Sequence, residues 1–248
     1  LFRSIEACFG KRICDVSASF LIKNEYLVKP RIIFNHFKQV LSKCSTYPEY
    51  YKTYIVENEF RNKWIANRAK YYTDLGKMTI ILVKQVKHAE ILSEMIPGSE
   101  ILSSSGNSKK SYSQRKEIIG RMKSKDLMCV IGTSLLDEGV DVPAASAGIF
   151  AGSGKSSTRA LQRVGRIIRI DRNDPTKNLA YIEQFHDHCL YMDYHSKMIR
   201  KILETEPEFD IRDYRVKDEF TGFNHNEEQV EFGQNLNIRS EEHMSELQ

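Results

Sequence analysis

Short apolar runs alternate with amphipathic stretches over most of the chain. Met78-Thr79-Ile80-Ile81-Leu82-Val83 is a β-branched run held between Gly76 and Lys84, which predicts a strand buried on both faces. Residues 100–102, 127–131, 148–151 and 179–183 carry the same signature. Between them the period lengthens. Phe60, Trp64, Ile65, Ala69 and Tyr72 form one stripe of a helix over residues 56–75, closed by Gly76, and the stripe places Trp64 in the core. Further helices are predicted at residues 88–92, stopped by Pro97-Gly98, and at 113–125, with Ile118, Ile119 and Met122 inward. Others are expected around Leu135-Leu136, from Ser157, and over 189–203. Strand and helix in turn predict an α/β fold, a parallel sheet flanked by helices on both faces. Ligands of such sheets sit at the carboxyl ends of the strands.

The flanks read differently. Ile13-Cys14-Asp15-Val16 predicts a short strand and Phe20-Leu21-Ile22 a helix, while Pro30 forces Lys29 to be extended. Residues 36–56 are polar and tyrosine-rich and predict loop with a short helix. Beyond Pro207 the pattern dissolves, and residues 216–248 predict a mobile acidic tail.

Composition adds a few bounds. With 41% apolar and 28% charged residues the chain has the makeup of a globular protein. No apolar run nears the ~20 residues of a membrane span, so no membrane partner and a cytoplasmic location are expected. The five cysteines are scattered, without a C-x-x-C pair, which predicts reduced thiols and no metal site. Residues 216–248 hold eight acidic and two basic residues. Against a total of +4, residues 1–215 therefore carry +10, which suits a polyanion partner.

The chemistry concentrates in Gln162-Arg163-Val164-Gly165-Arg166-Ile167-Ile168-Arg169. On a helix, Gln162, Arg166 and Arg169 share a face at i, i+4 and i+7. Guanidinium groups stay charged and fork onto phosphate oxygens, so Arg166 and Arg169 read as a phosphate clamp, with Gln162 able to orient a water. About thirty residues upstream, a strand runs into Gly132-Thr133-Ser134, and then into Glu138-Gly139-Val140-Asp141-Val142-Pro143. Ahead of the 113–125 helix, Ser103 to Lys110 includes Gly106, Lys109 and hydroxyl residues, which suit phosphate-backbone contacts.

In this order and spacing the two motifs resemble motifs V and VI of superfamily 2 helicases. Arg61-Asn62-Lys63-Trp64-Ile65-Ala66 is similar to a helix preceding motif IV in UvsW-type phage DNA helicases, and the resemblance covers about residues 1–205. It implies a P-loop NTPase-type helicase C-terminal domain, the second RecA-like domain. Residues 1–35 would be a remnant of the first RecA-like domain with its linker, or alternatively a strand and helix of the same domain. Residues 36–205 would form the motor domain, and 206–248 the tail. The resemblance further implies that ATP sits between the two domains, with Arg166, Arg169 and Gln162 catalytic. Gly139 and Asp141 would lie at the ribose, and Gly106, Lys109, Gly132 and Thr133 on nucleic acid, by kinship DNA. Glu138 would face the same cleft without a role derivable from its chemistry. Complete Walker A, Asp-Glu-x-His and Ser-Ala-Thr motifs are not found in these residues. Magnesium would therefore be held mainly by the first domain, and the chain alone would be inactive. A phage-encoded protein would work in its bacterial host's cytoplasm.

Gly152-Ser153-Gly154-Lys155-Ser156-Ser157 imitates the end of a Walker A loop, but Ile149 stands where that loop needs its first glycine. Tyr181-Ile182-Glu183, the nearest substitute for a metal-binding strand end, is weak. A stand-alone P-loop NTPase and a non-catalytic nucleic-acid-binding module are the alternatives. The first would hydrolyse ATP unaided, and the second would bind with strong salt dependence and need no partner domain.

Overall fold

A computed structural model describes residues 16–38, 46–102, 109–133, 144–152 and 157–216. Its elements in order are α1 (Ala18–Lys23), β1 (Lys29–Lys38), α2 (Tyr47–Tyr51), a π-helical turn (Lys52–Val56), α3 (Glu59–Asp74), β2 (Thr79–Leu82) and α4 (Val86–Met95). Then come β3 (Glu100–Leu102), α5 (Lys109–Lys123), β4 (Cys129–Gly132), β5 (Ala147–Phe150), α6 (Ser157–Ile167), β6 (Leu179–His188), α7 (Leu190–Leu203) and β7 (Asp210–Arg215). The seven strands form one parallel sheet in the order β3-β4-β2-β5-β6-β1-β7, the RecA-like arrangement.

Successive strand residues serve opposite faces. Ile80 and Leu82 pack with Met122 of α5, Val164 and Ile167 of α6 and Leu203 of α7. Ile81 and Val83 pack against Trp64, Ile65, Ala69 and Tyr72 of α3 and Ala89 and Leu92 of α4. Helices thus cover both faces, as the apolar runs require. Trp64 lies in the core at 5% exposure, and Gly98 takes φ +79° in the turn that ends α4's connection.

Three features depart from the sequence expectations. β1 straddles the boundary placed between residues 35 and 36, and it lies inside the sheet, between β6 and β7. Its last three residues fall in the stretch expected to be loop and short helix. β6 continues five residues past Glu183 to His188. β7 belongs to the stretch expected to be tail, yet it pairs with β1, and Tyr214 stacks on Trp64 with ring centroids 5.2 Å apart. The helix expected around Leu135 and the residues beyond Val216 lie outside the described residues.

Buried charges explain the extra length of β6. Its Glu183 and Asp187 are fully buried and meet two arginines, seven residues or about two turns apart on one face of α3. Arg61 grips Asp187 through Nε at 2.9 Å and Nη2 at 3.2 Å, and Nη2 also donates to the Ala151 carbonyl at 2.9 Å. Arg68 donates to Glu183, which also accepts from Tyr72 and, at 2.6 Å, from Asn35. Asn35 in turn accepts from Trp64 Nε1 at 3.0 Å. A buried ion pair adds little net stability, but removing one partner strands a charge.

Arg61→Met is therefore expected to cost about 3–5 kcal/mol in urea unfolding, with Arg61→Met/Asp187→Leu recovering much of the loss. A second expectation concerns pH. His88 is buried and its Nε2 lies 2.9 Å from the Asn62 Oδ1; burial first, then the nearby Arg61 charge, push its pKa down to about 3. Protons enter the unfolded imidazole below about pH 6.5 but not the folded one until about pH 3. Stability should be full above pH 6.5 and fall between those values, by up to about 1.4 kcal/mol per pH unit. His88→Gln should flatten that slope in denaturation series run from pH 7 to 4.

Candidate functional site

Register fixes the two ends of the sheet. Leu102, Gly132, Leu82 and Phe150 lie side by side in adjacent strands, and this row marks the carboxyl edge. Gly132 is buried there and its carbonyl accepts from the Val83 N–H at 3.0 Å. Thr133 follows, half-buried, at the mouth of the strand. Lys109 opens α5 next to the same edge in sequence, seven residues after Leu102. Gly106, Glu138, Gly139 and Asp141 lie outside the described residues.

The chain then leaves β5 at this edge with a close approach. A Cβ on Gly152 would sit 2.9 Å from the Lys84 backbone nitrogen, and the Gly152 N–H donates to the Leu82 carbonyl at 2.9 Å. Gly152 thus has a packing reason to be glycine without any phosphate. Glu183, the acid nearest to a metal-strand pattern, is consumed by Arg68, Tyr72 and Asn35. Both facts weigh against a P-loop of this chain's own.

Helix α6 carries the chain to the opposite edge. Eleven residues at ~1.5 Å each span roughly 16 Å, which matches the depth of the sheet. Gln162 is exposed and Arg166 half-buried; four residues apart, they stand one above the other on the helix surface. The helix stops at Ile167, however. Arg169 is an extended residue bridged to Leu27, and the Ile168 carbonyl accepts from the Val28 N–H at 2.9 Å. The expected single helical face bearing Gln162, Arg166 and Arg169 is thereby corrected. The two arginines flank a helix end, because β-type pairing with the approach to β1 replaces the last helical turn. They stand at the amino edge of the sheet, where β1 begins, instead of the carboxyl edge bearing Gly132 and Thr133.

A residue not singled out from the sequence holds this corner. Lys177 is buried at 5% exposure, and its ammonium donates to the carbonyls of Ala145 at 2.6 Å, Ile167 at 2.9 Å and Arg169 at 2.7 Å. Two of these carbonyls are at or just past the end of α6, where helix C-termini leave acceptors unsatisfied and attract cations. Beneath them Gly148 leaves room for Ile167: an added Cβ would lie 3.2 Å from Ile167 Cγ1. A lysine in a loop of Asp, Asn, Pro and Thr gives no sequence signal for this role. Ala144 begins the approach to β5 at the same edge, beside Ala145, and Asp141 precedes it by three positions in sequence.

The comparisons with known proteins agree with this architecture. Residues 65–171 match the helicase conserved C-terminal domain family. A protein of Sulfolobus islandicus filamentous virus named "Putative helicase 22" is 25% identical over 205 residues, 76% of this chain and 36% of its own length. The UvrABC system protein B of Pseudothermotoga lettingae is 28% identical over 147 residues, 54% of this chain and 22% of that protein. The chain thus spans about a third or less of these relatives. Among solved structures, T4 UvsW superposes with a TM-score of 0.60 at 18% identity, over 77% of this chain and 42% of that one.

Lys177→Met should leave three carbonyls without their shared donor. It is expected to cost about 1–3 kcal/mol and to speed amide hydrogen exchange selectively at residues 164–170, read by mass spectrometry.

Proposed function

We propose that this chain is the C-terminal, second RecA-like domain of a superfamily 2 helicase, and that in the intact protein it is one half of an ATP-driven motor on DNA. Nucleotide would lie between this domain and the first RecA-like domain. Arg166 and Arg169 would reach its terminal phosphate, where fixed guanidinium groups stabilise charge spread over the transferring oxygens. Gln162, one turn before Arg166, would order the attacking water or the phosphate. Asp141 would take the ribose hydroxyl, with Gly139 permitting close backbone approach. Magnesium would supply further neutralisation of phosphate charge and would be held mainly by the first domain, which fits a chain whose Glu183 is already fully engaged.

At the other edge, Gly132 and Thr133, with Gly106 and Lys109, would meet the nucleic-acid backbone. Such contacts carry no sequence information; DNA is taken from the likeness of the motifs to UvsW-type helicases. Separation of the two tasks onto opposite sheet edges supports a motor, because closure of the domains on nucleotide then displaces the strand-binding edge as a rigid body. The observation that carries this reading is the Lys177 clasp, which fixes the backbone beside Arg166 and at Arg169.

In the intact enzyme, Arg166→Ala and Arg169→Ala should each lower ATP hydrolysis at least about a hundredfold while nucleotide binding persists. Unaltered turnover in both would remove the arginines from the mechanism. The 248-residue chain by itself should hydrolyse ATP negligibly.

A further inference from the structure

Three histidines meet at the carboxyl ends of β1 and β6. His36 lies directly opposite His186 in the β1–β6 register, and His188, two residues on, shares their face. The rings stack, with centroids 4.8 Å apart for His36 and His186, 5.2 Å for His36 and His188, and 4.2 Å for His186 and His188. One nitrogen from each ring lies within 4.8 Å of the other two.

The hydrogen bonds sort the nitrogens into two sets. His36 Nε2 meets Asp213 Oδ1 at 2.6 Å, and His186 Nε2 meets Asp193 Oδ1 at 2.7 Å. An ionised carboxylate only accepts, so both Nε2 atoms donate, and in the neutral form of each ring Nδ1 is a bare lone pair. His36 Nδ1 then accepts from His188 Nε2 at 3.0 Å. His186 is 5% exposed and its Nδ1 is buried without a hydrogen-bond partner among the described residues. A bare imidazole nitrogen, buried with nothing to accept from, costs free energy unless something fills the position.

We propose that His36, His186 and His188 form a binding site for a divalent transition-metal ion of the zinc class. Imidazole nitrogens suit Zn²⁺, Ni²⁺, Co²⁺ and Cu²⁺, and not Mg²⁺. Histidine ligands generally pass their second N–H to a carboxylate, and Asp213 and Asp193 already stand in that position. His188 completes the set by a tautomer change: its proton moves from Nε2 to Nδ1, which lies 3.6 Å from Asp193, and Nε2 turns to the metal with no net proton lost. Metal–nitrogen bonds of ~2.1 Å in a tetrahedral site put the nitrogens ~3.4 Å apart; His36 Nδ1 and His188 Nε2 already lie 3.0 Å apart, and only the widest of the three separations, within 4.8 Å, has to shorten. His188, 43% exposed at the strand end, is the ring of the three with most room to reorient.

The surrounding side chains lean negative. Lys197 pairs with Asp193 at 2.7 Å, and Arg200 pairs with both Asp213 at 2.5 Å and Glu204 at 2.7 Å, so a bound dication meets two cations set against three carboxylates. Burial, ahead of the neighbouring charges, holds both His186 and His188 below the ordinary imidazole range, which keeps them in the ligating form at neutral pH. Bound here, the ion would join β1, β6 and, through Asp193, the first turn of α7. The proposal stands apart from the nucleotide and nucleic-acid assignments.

The test is Zn²⁺ binding to the untagged 248-residue chain at pH 7.5, by competition with a chromophoric chelator, with Co²⁺ absorption as a second readout. One Zn²⁺ per chain is expected, undisturbed by excess Mg²⁺. His188→Ala, at the half-exposed position, should keep the circular dichroism spectrum and lower affinity at least about tenfold. Asp193→Asn should weaken binding by about 10–100-fold. No Zn²⁺ bound by the folded chain, or binding equally tight in His188→Ala and His36→Ala, overturns the site.

Discussion

One ammonium group decides where the backbone of Arg166 and Arg169 can run. Lys177 collects three main-chain carbonyls, from the approach to β5, the last residue of α6 and Arg169. The bonds to Ala145 and Ile167 are buried, and a buried carbonyl left unpaired costs as much as a lost hydrogen bond. The bonds join a strand entry, a helix exit and the bridge to Leu27 at one corner of the sheet. A residue that touches neither nucleotide nor nucleic acid in the proposed motor thus sets the geometry of those that would.

The second organising constraint is electrostatic. Arg61 and Arg68 lie fully or almost fully buried on α3 and face Asp187 and Glu183 of β6. Such pairs do little for net stability but penalise any other docking, since a shift of α3 along the sheet would leave buried charges unmatched. Apolar packing alone tolerates sliding. The arginines give α3 a single register on β6.

Where sequence reading succeeded and where it stopped follows from the same physics. β2 and β4 were legible because aliphatic residues face both helical layers, and α3 because Trp64, Ile65, Ala69 and Tyr72 keep helical spacing. The far half of β6 was not. Glu183, Gln184, His186 and Asp187 read as polar, and only partners distant in sequence make their burial possible. β1 hides for a like reason, with Asn35 and His36 satisfied by Glu183 and Asp213. β7, Asp-Ile-Arg-Asp-Tyr-Arg, is an edge strand whose charges are paired along and across it. The motif residues Gln162 and Arg166 were legible as one helical pair. The break before Arg169 was not, because it depends on Leu27, some 140 residues away.

The place of β1 has a consequence for synthesis. Lys29 pairs with Leu179, and the intervening strands are all laid down first on the other side of β6. At the ~5–20 residues per second of translation, β1 would wait on the order of ten to thirty seconds for the neighbour that separates it from the rest of the sheet. Its long, partly apolar edge is exposed throughout that interval. Of the described strands, the first thus has both of its neighbours, β6 and β7, supplied by the last two to be made.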